Sequence, residues 1–370
     1  MKLDDLPTPC LVLDRGILQR NLARMGTAVA RHGVALRPHM KTAKSHDVAR
    51  LALAVPPAAG GITVSTLAEA EYFLAHGITD ILYAVAITPQ KLDAAARLAT
   101  SGATLILITD DPDAASAIAS RPGAIRALIE IDCGEARGGI APDDPALLDI
   151  AGRLGPCLAG VLTHAGHSYA GRSPADMARI AETERLAAVT AATRLRDAGY
   201  PCPMVSVGSS PTALYAATLD GATETRPGVY MFGDLFQAEI GTVAPDSIAL
   251  TVLASVIGRR LAENRIVVDA GAMALSKDRS TEATATDYGF GLMLDTLGRR
   301  SYGHSIVRRA NQEHGVIELD SAVSAGSFRV GDRLRIAPNH ACLTAAAHDR
   351  YFVVDGDETV ADIWPRVNGW

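Results

Sequence analysis

Short apolar runs and amphipathic stretches alternate along the first part of the chain. The runs are rich in β-branched residues and are CLVLD (10–14), VALRPH (34–39), GITVS (61–65), DILYAV (80–85), TLILI (104–108), RALIEID (126–132), LAGVLTH (158–164), PMVSVG (203–208) and ETRPGVYMF (224–232). Helical patterns of apolar and polar positions separate them at 15–32, 66–76, 89–100, 143–154 and 174–198. Strands that are apolar throughout and alternate with helices indicate a parallel sheet covered on both faces. Eight or nine such units predict a (β/α)8 barrel rather than an open doubly wound sheet.

The helical pattern fades after about residue 245. The runs IALTVLASVI, RIVVDA, DRLRIA and RYFVVDG follow, separated by turns rich in Gly and Asp, and they predict a β-rich region. We therefore expect an α/β chain of two domains. The (β/α)8 barrel would cover residues 10–240, and the β-rich domain would combine residues 1–9 and 241–370.

Composition and charge narrow the class of protein. The 370 residues are 48% hydrophobic and 21% charged, which is typical of a soluble globular protein. A formal net charge of −6, with no basic patch among aromatic residues, argues against nucleic acid or an anionic membrane as a partner. The start, MKLDDLPTP, lacks the apolar core of a signal peptide, and no apolar run reaches membrane-spanning length. Five cysteines without CxxC spacing are typical of reduced thiols, so we expect a cytoplasmic protein.

Polar side chains follow several of the predicted strands. In a barrel these positions share one face, which carries the active site. Lys41, next to His39 in RPHMKTAK, could form a Schiff base with a carbonyl, or it could be a surface lysine that opens a helix. Arg137, in EIDCGEARGG, could bind a phosphate, a carboxylate or a ring nitrogen, or it could lie in solvent. The segment THAGHSY (163–169) places two histidines, a serine and a tyrosine at another strand end, either as site residues or as ordinary loop polarity.

Two Gly-containing turns indicate an anion site. VGSSPT (207–212) and RPGVY (226–230) offer backbone N–H groups and hydroxyls where strands lead into helices. A Gly-Ser turn by itself is a weak signal. Its strength comes from chain order, because the turns after the seventh and eighth strands of a barrel are the usual phosphate site.

His340 and Cys342 form a candidate metal motif in PNHACLT near the end of the chain. Two residues apart on an extended segment, they would point to the same side and could share one metal ion. Two protein ligands leave positions for water or substrate, as a catalytic metal requires. The alternative is a buried cysteine beside a hydrogen-bonded histidine.

Taken together, these motifs resemble the fold-type III pyridoxal-phosphate enzymes of the D-serine dehydratase and D-threonine aldolase group, from TPCLVLD at the start to PNHACLT near the end. The resemblance implies an alanine-racemase-like barrel with a C-terminal β domain, a homodimer, and pyridoxal 5′-phosphate bound to Lys41 as a Schiff base. Arg137 would face the pyridine nitrogen, and His164 would stand by the cofactor ring. The implied cofactor-binding set is His39, Lys41, Arg137, His164, Gly208, Ser209, Ser210, Gly228 and Tyr230. Many relatives have a histidine where this chain has Ala43, so the resemblance supports no proton relay there.

The resemblance also implies that His340 and Cys342 bind a divalent metal. A thiolate ligand favours zinc, with manganese, cobalt and magnesium as the other candidates. The segments PNHAC, THAGHSY and DAGAMALSKD (269–278) look more like the dehydratases, since the aldolases tend to carry His-x-Asp in place of His340-Ala341-Cys342 and a tyrosine in place of His164.

We therefore expect a lyase that eliminates water from a small D-3-hydroxy amino acid, namely D-serine, D-threo-3-hydroxyaspartate or D-threonine, to give a 2-oxo acid and ammonia. Lys41 would be the base and the metal the Lewis acid on the departing hydroxyl. His164 and Tyr169 complete the expected catalytic set, Tyr169 as an acid, a substrate contact or a packing residue. The alternatives are an aldolase that releases glycine and an aldehyde, a racemase that does not need the metal, and a non-catalytic protein that binds the cofactor.

Overall fold

The computed structural model describes residues 1–121 and 124–370, in which the apolar runs form two separate β-sheets. The strands are β1 (Cys10–Asp14), β2 (Ala35–Leu36), β3 (Ile62–Val64), β4 (Asp80–Ala86), β5 (Thr104–Thr109), β6 (Ile125–Ile131), β7 (Leu158–Thr163), β8 (Met204–Val207), β9 (Glu224–Thr225), β10 (Leu250–Arg260), β11 (Arg265–Val268), β12 (Leu292–Leu294), β13 (Ile306–Ala310), β14 (Gly315–Glu318), β15 (Arg333–Ala337), β16 (Arg350–Val354) and β17 (Asp362–Pro365). The expected fold class, a (β/α)8 barrel with a C-terminal β-rich domain, is confirmed.

Amphipathic helices fall between the barrel strands, as the sequence predicts, and further helices precede the first barrel strand and follow the last. They are α1 (Arg15–Ala30), α2 (His46–Leu53), α3 (Leu67–Ala75), α4 (Leu92–Thr100), α5 (Pro112–Ala119), α6 (Ala146–Leu154), α7 (Pro174–Asp197), α8 (Ser210–Tyr215), α9 (Leu235–Glu239), α10 (Ala272–Leu275) and α11 (Ala341–Ala345). Helix α7 starts where the sequence indicates, because the Ser173 hydroxyl accepts the N–H of Asp176 and Pro174 occupies the first helical position. Within the described ranges, no helix combines the length and apolar character needed to cross a bilayer.

The internal contacts divide the chain into two compact units. The barrel unit comprises Ala23–Gly228 and Val367–Trp370, and the β unit comprises Met1–Leu22 and Val229–Arg366. The division differs from the predicted domains at residues 10–22 and 229–240, which belong to the β unit, and at the last four residues, which belong to the barrel unit.

The barrel unit contains the eight-stranded parallel sheet, in the order β2-β9-β8-β7-β6-β5-β4-β3. The two ends of this order meet just after β2, where Met40 donates its N–H to the carbonyl of Thr63 (2.8 Å) and Thr63 donates to the carbonyl of Pro38 (3.0 Å). Because all eight strands are parallel, their C-terminal ends open on one face. The strand predicted at 224–232 is shorter than expected and ends at Thr225, because Pro227 lacks an N–H and residues Val229–Met231 form a 3-10 helix.

A buried ion network joins the strands inside the barrel. Arg37 donates from Nε to Glu224 (2.8 Å) and from its terminal nitrogens to Asp80 (2.8 and 3.2 Å). Glu224 in turn accepts the hydroxyl of Ser206 at 2.5 Å, and Ser206 accepts from the guanidinium of Arg226 at 2.6 Å. The side chains of Arg37 and Glu224 are only 4% and 5% exposed, so each charge depends on its partner.

The β unit is built around the second sheet, in the order β11-β14-β13-β12-β15-β10-β1-β16-β17 with a further pairing of β11 and β10. The prediction that residues 10–14 begin the barrel is wrong. Strand β1 pairs antiparallel with β10 and parallel with β16. All five residues of β1 are buried, and a run that is apolar on both faces does not indicate which of two sheets it joins.

Candidate active site

A cavity of about 420 Å³ lies among the C-terminal ends of the barrel strands. Of the residues predicted from sequence, His39, Lys41, Arg137, His164 and Gly208 line it, so one site collects side chains that are far apart in the chain. The cavity is also lined by polar residues that were not predicted from the sequence, namely Ser65, Asp110, Glu130 and Arg226.

Lys41 is the lysine that faces this cavity. It follows β2 between the buried residues Met40 and Thr42, and its own side chain is exposed. Its backbone N–H donates to Nδ1 of His39 at 3.4 Å. The second lysine of the KTAK segment is different, because Nζ of Lys44 is paired with the buried carboxylate of Glu69 at 3.1 Å. Lys41 is therefore the amine of this segment that remains available to react.

His164 is held as a neutral imidazole. Its Nδ1 lies 3.1 Å from the carbonyl oxygen of Gly208, so Nδ1 carries the proton and donates it. Burial, together with the nearby positive charge of Lys41, lowers the pKa of His164 to about 3. Burial and Lys41 also lower the pKa of His39 well below its usual range. At neutral pH both rings are thus uncharged, and Nε2 of His164 is a hydrogen-bond acceptor.

The turn after β8 depends on glycine at position 208. Gly208 has φ +115, and a Cβ there would lie 2.0 Å from Oγ1 of Thr225 and 2.9 Å from the backbone nitrogen of Arg226. Ser209 caps helix α8, since its hydroxyl accepts the N–H of Thr212 at 3.3 Å. The same hydroxyl lies 2.8 Å from that of Ser168, so the Ser209 side chain has a structural role in this turn. Ser210 follows as the first residue of α8 and is fully buried.

Two guanidinium groups line the cavity, and one is exposed whereas the other is buried. Arg137 is 59% exposed and pairs with Glu135 at 3.3 Å. Arg226 is 4% exposed and donates to the carbonyl oxygen of Thr163 at 2.6 Å and to the hydroxyl of Ser206 at 2.6 Å. RPGVY was predicted as a phosphate turn, but its arginine was not among the predicted site residues. The signal was the position of Arg226 directly after the last barrel strand.

Two carboxylates were also missed. Asp110 follows β5 and accepts the N–H of Gly139 at 2.7 Å, which fixes the loop that carries Arg137. Glu130 lies within β6, where a charged residue in the apolar run ALIEI (127–131) was the available signal. Burial and the Asp110 carboxylate raise the pKa of Glu130, while Arg137 and Arg226 oppose that rise.

Like Ser209 and Ser210, the predicted residues Tyr169, Gly228 and Tyr230 do not line this cavity. Tyr169 is half-buried in the 3-10 helix Gly166–Ala170, and the residues that line the cavity do not include it. Gly228 packs against the loop of Lys41, because a Cβ at Gly228 would lie 2.9 Å from the carbonyl oxygen of His39. Tyr230 belongs to the β unit, where it is buried and its pKa is raised by that burial.

His340 and Cys342 lie together in the β unit, although not for the predicted reason. The segment is not extended, since His340 is the N-cap of α11 and Cys342 lies in its first turn. The imidazole of His340 contacts Cys342, and its Nδ1 lies 3.6 Å from a carboxylate oxygen of Asp278. Burial opposes a charge on His340, but Asp278, Cys342 and Asp234 together raise its pKa to about 11. Across the described part of the chain, no three His, Cys, Asp or Glu side chains converge as a complete ligand set.

Residues 13–235 match the alanine racemase N-terminal domain, and residues 249–354 match a putative serine dehydratase domain. The chain belongs to the fold-type III pyridoxal-phosphate enzymes. Among curated relatives, it is 47% identical to D-threo-3-hydroxyaspartate dehydratase from Delftia sp. (strain HT23), over 99% of this chain and 98% of the relative. It is 28% identical to D-serine dehydratase from Dictyostelium discoideum, over 100% of this chain and 98% of the relative.

A solved structure of one of these relatives has the same fold as this chain. It is a cysteine-to-alanine mutant of D-threo-3-hydroxyaspartate dehydratase in the metal-free form, 46% identical to this chain, with a TM-score of 0.96 and full coverage of both chains. The fold-type III enzyme described here is thus a pyridoxal-phosphate-dependent lyase, in the group that contains the D-serine dehydratases.

Proposed function

We propose that this enzyme eliminates water from D-3-hydroxy amino acids, with D-threo-3-hydroxyaspartate as the first candidate substrate and D-serine and D-threonine as the others. The products would be a 2-oxo acid and ammonia. The observation that carries the proposal is the 47% identity with D-threo-3-hydroxyaspartate dehydratase over nearly the whole of both chains. The barrel cavity supports it, because it combines one available lysine with two guanidinium groups and two neutral imidazoles.

The residues of the cavity fit pyridoxal 5′-phosphate. Lys41 offers an unpaired amine for its aldehyde, and the turn of Gly208, Ser209 and Ser210, with Gly228, would hold its phosphate. A buried hydroxyl, Oγ1 of Thr225, lies against Gly208 and has no hydrogen-bond partner among the described residues, as expected beside an anion site. Tyr230 stays a predicted member of this set.

The bound cofactor supplies an electron sink for negative charge at the α-carbon of the substrate. Lys41 would be the base within the cavity that accepts the α-proton. His164 cannot donate from Nε2 while it is neutral, so it contributes an acceptor and a ring face rather than a proton. The role predicted for Arg137, a donor to the pyridine nitrogen, suits Arg226 better, because its burial and its three bonded partners fix its position. Neither arginine can give its proton up to that nitrogen.

A cofactor ring that the arginines cannot protonate would be a weaker electron sink, and loss of the β-hydroxyl of the substrate would be harder. A divalent metal would assist that loss. His340 and Cys342 would hold it, with the Asp278 carboxylate orienting the imidazole, and the remaining positions would be open to water or substrate. The chemistry that such an ion supplies is Lewis acidity toward a hydroxyl oxygen. The imidazole and thiolate donors favour zinc over manganese, cobalt or magnesium. Tyr169 stays a predicted acid or substrate contact.

The test is an assay of purified protein with D-threo-3-hydroxyaspartate, D-serine and D-threonine. We expect ammonia and a 2-oxo acid, and we expect loss of both with a chelator and recovery with zinc. Glycine plus an aldehyde would make the enzyme an aldolase, and interconverted enantiomers would make it a racemase. Covalent attachment is tested by borohydride reduction and peptide mapping. Lys41→Ala should abolish the label, while Lys91→Ala, at an exposed lysine of the barrel unit, should leave it unchanged.

The metal proposal has its own measurement. Cys342→Ser should lower the affinity for zinc in a competition titration with a chromophoric chelator, because a hydroxyl is a poorer zinc ligand than a thiolate. The matched control is Cys157→Ser, at the other half-buried free cysteine. Equal zinc affinity in the two variants would show that Cys342 is not a zinc ligand.

We further propose that the enzyme works as a cytoplasmic homodimer. All five cysteines are free, as in a reducing compartment. Met273 on α10 and Leu343 on α11 are 57% and 49% exposed, which suits a surface covered by a second copy. Light scattering should give twice the mass of one chain, and a monomer mass would contradict the dimer.

A further inference from the structure

Helix α7 presents a buried carboxylate to the two loops that carry His164 and Gly208. Glu184 is 1% exposed, and its Oε1 accepts the N–H of Ala165 at 2.8 Å and that of Gly208 at 3.0 Å. Ala165 directly follows His164 in the chain. A single oxygen from a helix therefore joins the C-terminal ends of β7 and β8, two strands of the barrel whose loops form the cavity wall.

Both backbone polar groups of Gly208 are hydrogen-bonded, one to Glu184 and the other to His164. Glu184 accepts from the N–H of Gly208, and the carbonyl of Gly208 accepts from Nδ1 of His164 at 3.1 Å. The contacts close a ring that runs from Glu184 through Ala165 and His164 to Gly208 and back. Because His164 is bonded to a group that Glu184 also holds, the orientation of its ring depends on the carboxylate.

Several neighbouring groups stabilise a negative charge on the buried Glu184 side chain. Burial raises the pKa of Glu184, and the Thr212 hydroxyl, the two backbone N–H groups and the charge of Arg226 oppose that rise. Hydrogen bonds to a charged acceptor are about twice as strong as those between neutral groups. Thr212 also closes the capping box with Ser209, so the same carboxylate supports the start of α8.

We propose that Glu184 is a positioning residue that fixes the His164 ring and the 208–210 turn as one rigid element of the cofactor site. The consequence for the cofactor rests on the proposed function, whereas the coupling of the two loops does not. The two parts can therefore be measured separately.

Hydrogen exchange of the cofactor-free protein measures the coupling. In Glu184→Ala the amides of Ala165 and Gly208 lose their acceptor, and we expect both to exchange about tenfold faster or more. Glu184→Gln keeps an oxygen at the same reach and should retain slow exchange at both positions. The matched control is Glu182→Ala, two residues earlier on α7, where the side chain is 43% exposed and pairs with Arg185. It should leave both amides unchanged.

Titration with pyridoxal 5′-phosphate measures the consequence for the site. Glu184→Ala should raise the dissociation constant about tenfold and shift the pH profile of the bound-cofactor absorbance, and Glu184→Gln should restore both toward the wild type. If Glu184→Ala does not fold, Glu184→Asp replaces it, because a shorter side chain keeps the charge and loses the reach. Aspartate should then give fast exchange at both amides.

Unchanged exchange at Ala165 and Gly208 in the alanine or aspartate variant would overturn the proposal. The proposal would also be overturned if the wild type binds the cofactor at Lys41 and the variant exchanges faster at both amides but keeps the wild-type cofactor affinity and pH profile. If the wild type binds no cofactor while the two amides still respond as expected, the proposed function fails and the coupling of the two loops stands.

Discussion

Gly208→Ala separates the steric requirement of the 208–210 turn from the general cost of a left-handed backbone. Gly208 has φ +115, and a Cβ would lie 2.0 Å from Oγ1 of Thr225 and 2.9 Å from the backbone nitrogen of Arg226. Gly102, in the turn between α4 and β5, has a similar φ of +106, but a Cβ there has nothing within 4 Å. The two alanine variants share the backbone strain, and only one of them also has the clash.

The expected magnitudes follow from these contacts. A non-glycine residue at such a φ costs about 1–3 kcal/mol, and this applies to both variants. Overpacking adds about 1–3 kcal/mol at Gly208, because neither the strand hydroxyl nor the backbone nitrogen can move away cheaply. We therefore expect Gly102→Ala to lower the free energy of unfolding by about 1–3 kcal/mol and Gly208→Ala by about 2–6 kcal/mol.

Urea unfolding of the cofactor-free variants measures this difference. A titration with pyridoxal 5′-phosphate should then show weaker binding for Gly208→Ala and normal binding for Gly102→Ala, because only the former displaces the 208–210 turn. If both variants lose the same stability and bind the cofactor equally well, the close packing of Gly208 against Thr225 and Arg226 is not what holds the turn.

Two further predictions concern buried charge. The pKa of His164 is about 3 in the folded protein, below the 6.5 of an ordinary histidine, so the unfolded state binds more protons between these values and the free energy of unfolding should fall as the pH falls from 6.5 toward 3. In His164→Gln that fall should be smaller, and equal pH dependence would contradict the burial of a neutral ring. Arg37→Met leaves Glu224 and Asp80 without their cation and should lower the free energy of unfolding by about 3–5 kcal/mol. Arg153→Met, at an exposed pair, should change it little, and a similar loss in both variants would rule out the buried network as the cause.

Local pattern was sufficient for most of the barrel. Runs such as TLILI and LAGVLTH became β5 and β7 within one or two residues of their predicted bounds, because burial on both faces demands continuous apolar sequence. The position of Lys41 and His164 in the site also followed from pattern. Any polar residue directly after a barrel strand lies on the face where all the strand ends meet.

Pattern failed where the partner of a residue is distant in the chain. Strand β1 reads as a buried strand, but only its pairing with β10 and β16 assigns it to the β unit. Arg226 bonds to Thr163, and His340 lies beside Asp278, each more than sixty residues away along the chain. Glu184 is one polar position in a long amphipathic helix, and no local feature distinguishes it from its exposed neighbours.

The strands, the helices and the strand ends that carry reactive side chains could thus be predicted from local pattern, since they depend on residues within a few positions. Only the folded chain shows which sheet β1 joins, which of the two guanidinium groups is buried, and which carboxylate holds the loops of His164 and Gly208. Hydrophobic periodicity records whether a residue is buried, whereas its hydrogen-bond and ion-pair partners belong to chain segments that folding brings together.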